Sequence, residues 1–380
     1  KYSSLDLNEV KKSIIEIIDN IKQDITGINS LLRNISKFRF NYLDKLNYNS
    51  KDKLNQSKKY KKIKNQHIKT ILNNYLDNID KDVIEEHFGK ISEWNVSEVT
   101  NMSELFKDKK NFNEDITKWD VRNVTNMEKM FRGAESFNQN IGSWNVSNVI
   151  NMDSMFLNAE SFNNGDSNSI GSWDVSNVRK MRDMFSGAKS FNQDVGSWNV
   201  SNVTNMANMF EDAIAFNHDI GSWNVSNVEY MEAMFAGAKS FNNADSNSIG
   251  SWDVSNVTNM SGMFSSAKLF NQDIGSWNVS NVRNMNYMFE ETEAFNNGDM
   301  SSIGSWNVSS VEEMDQMFQG AIAFNQDITG WKVRDDVEMQ DMFTNATAFN
   351  IEYPDSKNNP KVIFNKNNII KLNLNNILKY

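Results

Sequence analysis

The side chains able to do covalent or metal chemistry are few and poorly grouped. There are three histidines, His67, His87 and His218, and no cysteine. The absence of cysteine excludes disulfides, thiolate zinc sites and thiol nucleophiles, and the histidines show no metal-ligand spacing. No glycine-rich phosphate loop or nucleophile elbow occurs. Asp166, Asp245 and Asp299 sit in Asn/Asp/Ser stretches whose oxygens would suit a hard cation. Their spacing is not that of a calcium loop, however, and such stretches are ordinary exposed turns. Asn-Val-Ser recurs at Asn95, Asn145, Asn199, Asn224, Asn278 and Asn307, formally a glycosylation acceptor and here a by-product of the repeat described below. The expectation is a non-enzyme with no catalytic, cofactor-binding or metal-ligating residues.

Composition narrows the class further. The formal net charge is -10 and the mean hydropathy -0.60, with no apolar run near the roughly 18 residues a membrane helix needs. Residues 1–88 hold 17 Lys/Arg and 12 Asp/Glu, a net of +5, so the remainder carries 22 against 37, a net of -15. An acidic body of that kind repels nucleic acid, and no nucleic-acid partner is expected. The chain opens at Lys1 without a signal-like start, which places any membrane anchor upstream of this segment.

The elements that would position any site belong to a repeat. All ten Trp residues form one series, Trp94, Trp119, Trp144, Trp173, Trp198, Trp223, Trp252, Trp277, Trp306 and Trp331, in steps of 25 or 29 residues. With each Trp as position 0, Val recurs at position 2, Met at 8, Phe at 12 and 18, and Asn at 19. In the unit beginning at Trp198, alternation of Trp198 and Val200 with Asn199 and Ser201 predicts a short strand. Val203, Met206, Met209, Phe210 and Ala213, spaced by three or four, predict one apolar stripe of a short helix, with Asn205 as its cap. Neither element can bury its own face alone, so successive units must stack. The expected fold is α/β: a leucine-rich-repeat-like solenoid of ten 25- or 29-residue coils with short parallel strands, over residues 94–350, closed by a C-terminal cap at 351–380. Trp198, Trp223, Trp252, Phe210, Phe216 and Asn217 are expected in its core, with the Asn series bonding from coil to coil.

Ahead of the repeats, Leu7, Val10, Ile14, Ile17, Ile21, Ile28, Leu31, Ile35 and Phe38 follow a heptad interrupted at Asp24. Ile68, Ile71, Leu72, Tyr75, Leu76 and Ile79 suggest a second helix beyond a Lys-rich stretch, Lys51 to Lys69. Residues 1–88 therefore read as a helical hairpin or coiled-coil stalk, and residues 7–38 as a route to a homo-oligomer.

The repeated string Trp-Asn/Asp-Val-Ser-Asn-Val-x-x-Met-x-x-Met-Phe-x-x-Ala-x-x-Phe-Asn-Gln-Asp-Ile-Gly-Ser resembles the repeat of BspA-like leucine-rich-repeat surface proteins, abundant as lipoproteins in mycoplasmas. The resemblance covers about Trp94 to Asn350 and implies an extracellular, lipid-anchored protein that binds protein or glycan on host or neighbouring cells. It carries no catalytic residue. Positions 1 and 3 of each unit face away from the Trp/Val side and form a polar strip, the candidate contact surface: Asn199, Ser201, Asn224, Ser226, Asp253, Ser255, Asn278 and Ser280. The competing expectation is a structural spacer or lattice component assembled through the N-terminal heptad helix.

Overall fold

The computed structural model describes residues 15–28, 60–356 and 358–364. The described residues divide into two compact units, 15–28, 60–61 and 69–90 in the first, and 62–68, 91–356 and 358–364 in the second. In the first, helix α1 covers residues 15–28 and exposes every residue, including Ile17, Ile21 and Ile28 at 57%, 51% and 56%. The helical pair is instead made by α2, Asn65–Leu76, and α3, Lys81–Phe88. Tyr75 of α2 donates its hydroxyl to Glu85 of α3 and carries the Lys81 ammonium 4.1 Å from its ring centre. The anticipated packing of the heptad stripe on Ile68 to Ile79 is thus not made by residues 15–28, and the rest of the heptad lies outside the described residues.

The second unit is a stack of coils, one per Trp, and its internal geometry overturns the α/β expectation. Among the described residues there is no β-strand and no sheet. Successive coils meet in single parallel bridges, such as Lys180 with Asn205 and Asn205 with Tyr230. Nor is the Met/Phe stripe a helix. In the coil from Trp198, the amides of Met209, Glu211 and Ala213 bond back three residues to the carbonyls of Met206, Asn208 and Phe210. Those of Met206, Asn208, Phe210 and Asp212 bond forward to Tyr230, Glu232, Met234 and Ala236 of the next coil, at 2.7–3.0 Å. Successive N–H groups from Asn208 to Ala213 therefore take turns, one holding the neighbouring coil and the next closing a local turn.

The reason is backbone handedness. Asn208 and Asp212 have φ of 56° and 51°, and the equivalent residues of the other coils are left-handed as well, Lys129 and Gly133 in one, Ala233 and Gly237 in another. A right-handed helix cannot pass through a residue with positive φ, whereas a chain of turns can. Apolar residues three or four apart fit both arrangements equally.

On the Trp side the coils are joined by side chains. Trp198 Nε1 donates to Ile170 O at 3.1 Å and Trp223 Nε1 to Val195 O at 3.0 Å, a bond repeated from Trp119 to Trp331. The extended stretch from Trp198 to Val200 ends when Val203 N bonds back to Val200 O, before a ladder can form. Trp198, Trp223 and Trp252 are 3–4% exposed and Phe210 and Phe216 fully buried, as anticipated. Phe210 lies 4.1 Å from Phe216 in its own coil and 5.7 Å from Phe235 in the next, all nearly parallel. Asn217 is only half-buried, which corrects its place in the core. Its Oδ1 accepts the Asn242 amide at 2.9 Å and its own amide donates to Asn192 Oδ1 at 3.0 Å, so the asparagine column runs along the border of the core.

Both ends of the stack are closed. Residues 62–65 imitate a further coil: Lys62 bridges Asn95, Ile63 N donates to Asn95 O, and Asn65 Oδ1 accepts the amides of Thr100 and Asn101. At the other end α4, Thr347–Glu352, lays Phe349 4.4 Å from Phe343, and Phe364 stacks on Trp331 at 6.3 Å. Without these segments the terminal coils would present unpaired backbone groups and bare aromatic rings.

At Gly237 the left-handed turn makes a signed difference, since φ there is +68° and an added Cβ would stand 2.2 Å from Asp212 Oδ1. In a helix interior Gly→Ala stabilises by about 1 kcal/mol. In this turn Gly237→Ala is expected to destabilise by about 1–2 kcal/mol in urea unfolding; a gain in stability would restore the helix.

Candidate functional site

The polar strip follows directly from how each coil turns after its Val. The side-chain oxygen at position 1 accepts the amide of position 3: Asn199 from Ser201 at 3.2 Å, Asn224 from Ser226 at 3.1 Å, Asp253 from Ser255 at 3.1 Å, Asn278 from Ser280 at 3.2 Å. The position-3 carbonyl then accepts Nδ2 of the asparagine at position 4 of the following coil. Asn202 bonds to Ser176 O, Asn227 to Ser201 O, Asn256 to Ser226 O and Asn281 to Ser255 O, at 2.6–2.7 Å. The four position-1 residues of the strip are exposed and the four serines half-buried. Their uniformity therefore has a structural cause: a short acceptor at position 1 closes the turn, and the turn presents a carbonyl to the next coil.

Beside the strip runs a trough that sequence reasoning did not single out. Its first part, about 490 Å³, is lined by Asn123, Asn148, Asn177 and Asn202 at position 4 and by Thr125, Ile150 and Arg179 at position 6. The second, about 540 Å³, continues from Arg179 and Asn202 through Thr204, Asn227, Glu229, Asn256 and Thr258. The two share residues and form one open channel across six successive coils. Because each lining asparagine has its Nδ2 tied to the preceding coil, its amide plane is set and Oδ1 is left without a hydrogen bond among the described residues. Asn recurs at position 4 in seven units, and that repetition was the one signal from which the trough's rim was legible. That positions 4 and 6 of neighbouring coils enclose a channel depends on stacking.

Charge is unevenly placed along this surface. Ser255, through its hydroxyl and its amide, holds the exposed Asp253 carboxyl below its ordinary range, and Ser176 does the same for Asp174. Arg179 uses its amide on Ile150 O, while its guanidinium makes no hydrogen bond or ion pair among the described residues. Glu229 lines the same trough, whereas Glu211 lies half-buried across the Met/Phe turns, where burial pushes its carboxyl up against the opposing hydrogen bond from Ser186.

The remaining candidates are absorbed by local structure. His87 bonds through Nδ1 to Val83 O and His218 through Nε2 to Asn192 O, while His67 contacts Gln66. Asp166, Asp245 and Asp299 each accept Nδ2 of the asparagine three residues earlier. The longer units are anchored by Asn164, Asn243 and Asn297, fully buried, whose Oδ1 atoms accept the amides of Ile141, Ile220 and Ile274. Among the described residues no group of His, Asp or Glu is gathered as a metal site would require.

Compared with known proteins, the chain matches a family model, DUF285, described as Mycoplasma protein of unknown function, over residues 70–169, 164–248 and 243–356. The match begins within α2, so it takes in residues that the repeat pattern alone leaves out. No curated protein and no solved structure matches.

The hydrogen bonds at Asp253 set a direction for its titration. A carboxyl whose folded pKa is depressed contributes stability that is complete above its unfolded value, about 3.9, and is lost as pH falls through the folded value. Ser255→Ala, by removing the hydroxyl donor, is expected to move the Asp253 midpoint upward in a carboxyl NMR titration; an unmoved midpoint would show that the hydroxyl does not hold the turn.

Proposed function

The chain belongs to this mycoplasma DUF285 family, whose function is not known, and from that premise we propose that it is a non-catalytic recognition protein of the cell surface. Its partner is a macromolecule on a host or neighbouring cell, engaged through the repeated polar face of the stack. The observation that carries this reading is the trough across six coils: it is open, long and lined by the same amide at every step, a form that suits an extended partner better than a small substrate held in a closed pocket. The likeness of the repeat to BspA-like leucine-rich-repeat surface proteins supports the same reading and implies a lipid anchor upstream.

Three substitutions, Ser201→Arg, Ser226→Arg and Ser255→Arg, would place long cations along the strip beside the trough without entering the core. In an adhesion assay of the full chain on host cells, this triple variant is expected to lose binding. The comparison is Glu160→Lys with Glu293→Lys, which breaks only the exposed pairs with Lys189 and Lys268 and is expected to leave adhesion intact. The opposite pattern would move the contact surface to the other side of the stack.

A second reading, a spacer that assembles through its N-terminal helix, draws on the exposed isoleucine stripe of α1. If that stripe joins copies, light scattering will find an oligomer that Ile17→Glu with Ile21→Glu converts to a monomer. A wild-type monomer would eliminate the assembly.

A further inference from the structure

Helix α1 runs unbroken through Asp24, so that residue does not interrupt its apolar stripe. On a continuous helix Ile18, Ile21, Ile25 and Ile28, spaced three, four and three, lie along one side, and Asp24 falls to the flank with Ile17. Glu16, Asp19, Asn20 and Gln23 occupy the opposite side. In heptad terms Ile18 and Ile25 take one core position and Ile21 and Ile28 the other. The sequence keeps that phase at Ile14, Leu32 and Ile35, with neither glycine nor proline between Ile28 and Ile35, so by their pattern these residues extend the stripe and do not complement it.

The four isoleucines of this seam are 45–56% exposed, and a contiguous apolar row of that kind is driven to find a cover. Among the described residues of its own unit no apolar face is free to supply one. Ile71, Leu72 and Tyr75 of α2 and Val83 and Ile84 of α3 are 0–4% exposed, and only Ile79, in the turn between the two helices, stands out. An anionic lipid surface suits the stripe no better. Residues 15–28 hold Lys22 against Glu16, Asp19 and Asp24, one cation and three anions for a net of -2, whereas helices that lie on such surfaces are rich in Lys and Arg. A further copy of the same helix is complementary by construction, because its isoleucines recur at the same heights and no polar residue enters the seam. Isoleucine at both core positions favours bundles of three or four strands over two.

We propose that α1 joins three or four copies of this chain through the seam Ile18, Ile21, Ile25 and Ile28. This rests on the assembly reading above and specifies its register and its number. Such a bundle carries the repeat stack in several copies, so that weak contacts with a shared partner act together.

Sedimentation equilibrium of the full chain tests it. The wild type is expected at three or four times the mass of one chain. Ile18→Ala with Ile25→Ala truncates the seam while raising helix propensity, and is expected to weaken assembly at least about a hundredfold. Asp24→Ala on the flank, and Glu16→Ala with Asn20→Ala on the opposite side, are expected to leave the mass unchanged. Were Asp24 inside the seam, its removal would tighten the assembly. A wild-type monomer overturns the proposal together with the assembly reading, and flotation of that monomer with phosphatidylcholine vesicles would make the stripe a lipid contact. A wild-type dimer overturns the number and keeps the assembly reading. An oligomer that the double isoleucine variant leaves intact, or that Asp24→Ala tightens, overturns the register and likewise keeps the assembly.

Discussion

The stack depends on a division of backbone N–H groups between a coil and its neighbour. Along the Met/Phe side, alternate amides close turns within the coil and reach forward to the next, and two left-handed residues per coil make that alternation possible. Each left-handed non-glycine residue costs about 1–2 kcal/mol. That cost is offset by what stacking buries: Met206, Met209, Phe210 and Phe216 are all fully inaccessible to solvent, and their coils cover one another. An isolated coil would keep the cost and lose the burial, so the unit of stability is the neighbouring pair of coils and not the single repeat.

The opposite side of the coil solves the same problem by other means. Between Trp and the next Val the backbone makes no ladder, and three side chains do the joining instead. The indole Nε1 reaches the preceding coil's backbone, the asparagine at position 4 reaches the preceding serine carbonyl, and the asparagine at position 19 accepts the next coil's amide. A residue type repeated on an exposed face can thus be held in place by geometry alone. Asn199 and Ser201 are uniform with their equivalents because they build the turn that Asn227 then binds. This shifts attention from the strip, whose polar groups are largely occupied, to the trough, whose amide oxygens are not.

The surface that results is periodic in its framework and irregular in its charge. Position 6 holds Thr125, Ile150, Arg179, Thr204, Glu229 and Thr258 in successive coils, so a channel of constant shape is given one cation, one anion and one apolar patch along its length. The core cannot vary without loss of packing, and position 4 cannot vary without loss of a coil-to-coil bond. Position 6 is free to differ, and it is where the trough acquires a chemical identity.

The repeat, its phase and its buried positions were legible in the sequence, because packing leaves a direct imprint on residue type: Trp198, Trp223, Phe210 and Phe216 lie where their recurrence places them. The coil-to-coil role of the asparagine at position 19 was legible for the same reason, although Asn217 proved to border the core instead of filling it. Secondary structure was not legible. The spacing of Val203, Met206, Met209, Phe210 and Ala213 is shared by a helix and by a run of turns, and the residues whose left-handed φ decides between them include Lys129, Ala233 and Tyr287, which carry no sign of it. The strand failed for a related reason: alternation of Trp198 and Val200 reports a buried face, while a sheet also requires amides to pair across coils, and here those bonds come from side chains. The trough belongs wholly to the tertiary structure, since its walls are residues 25 or more apart that only stacking brings side by side.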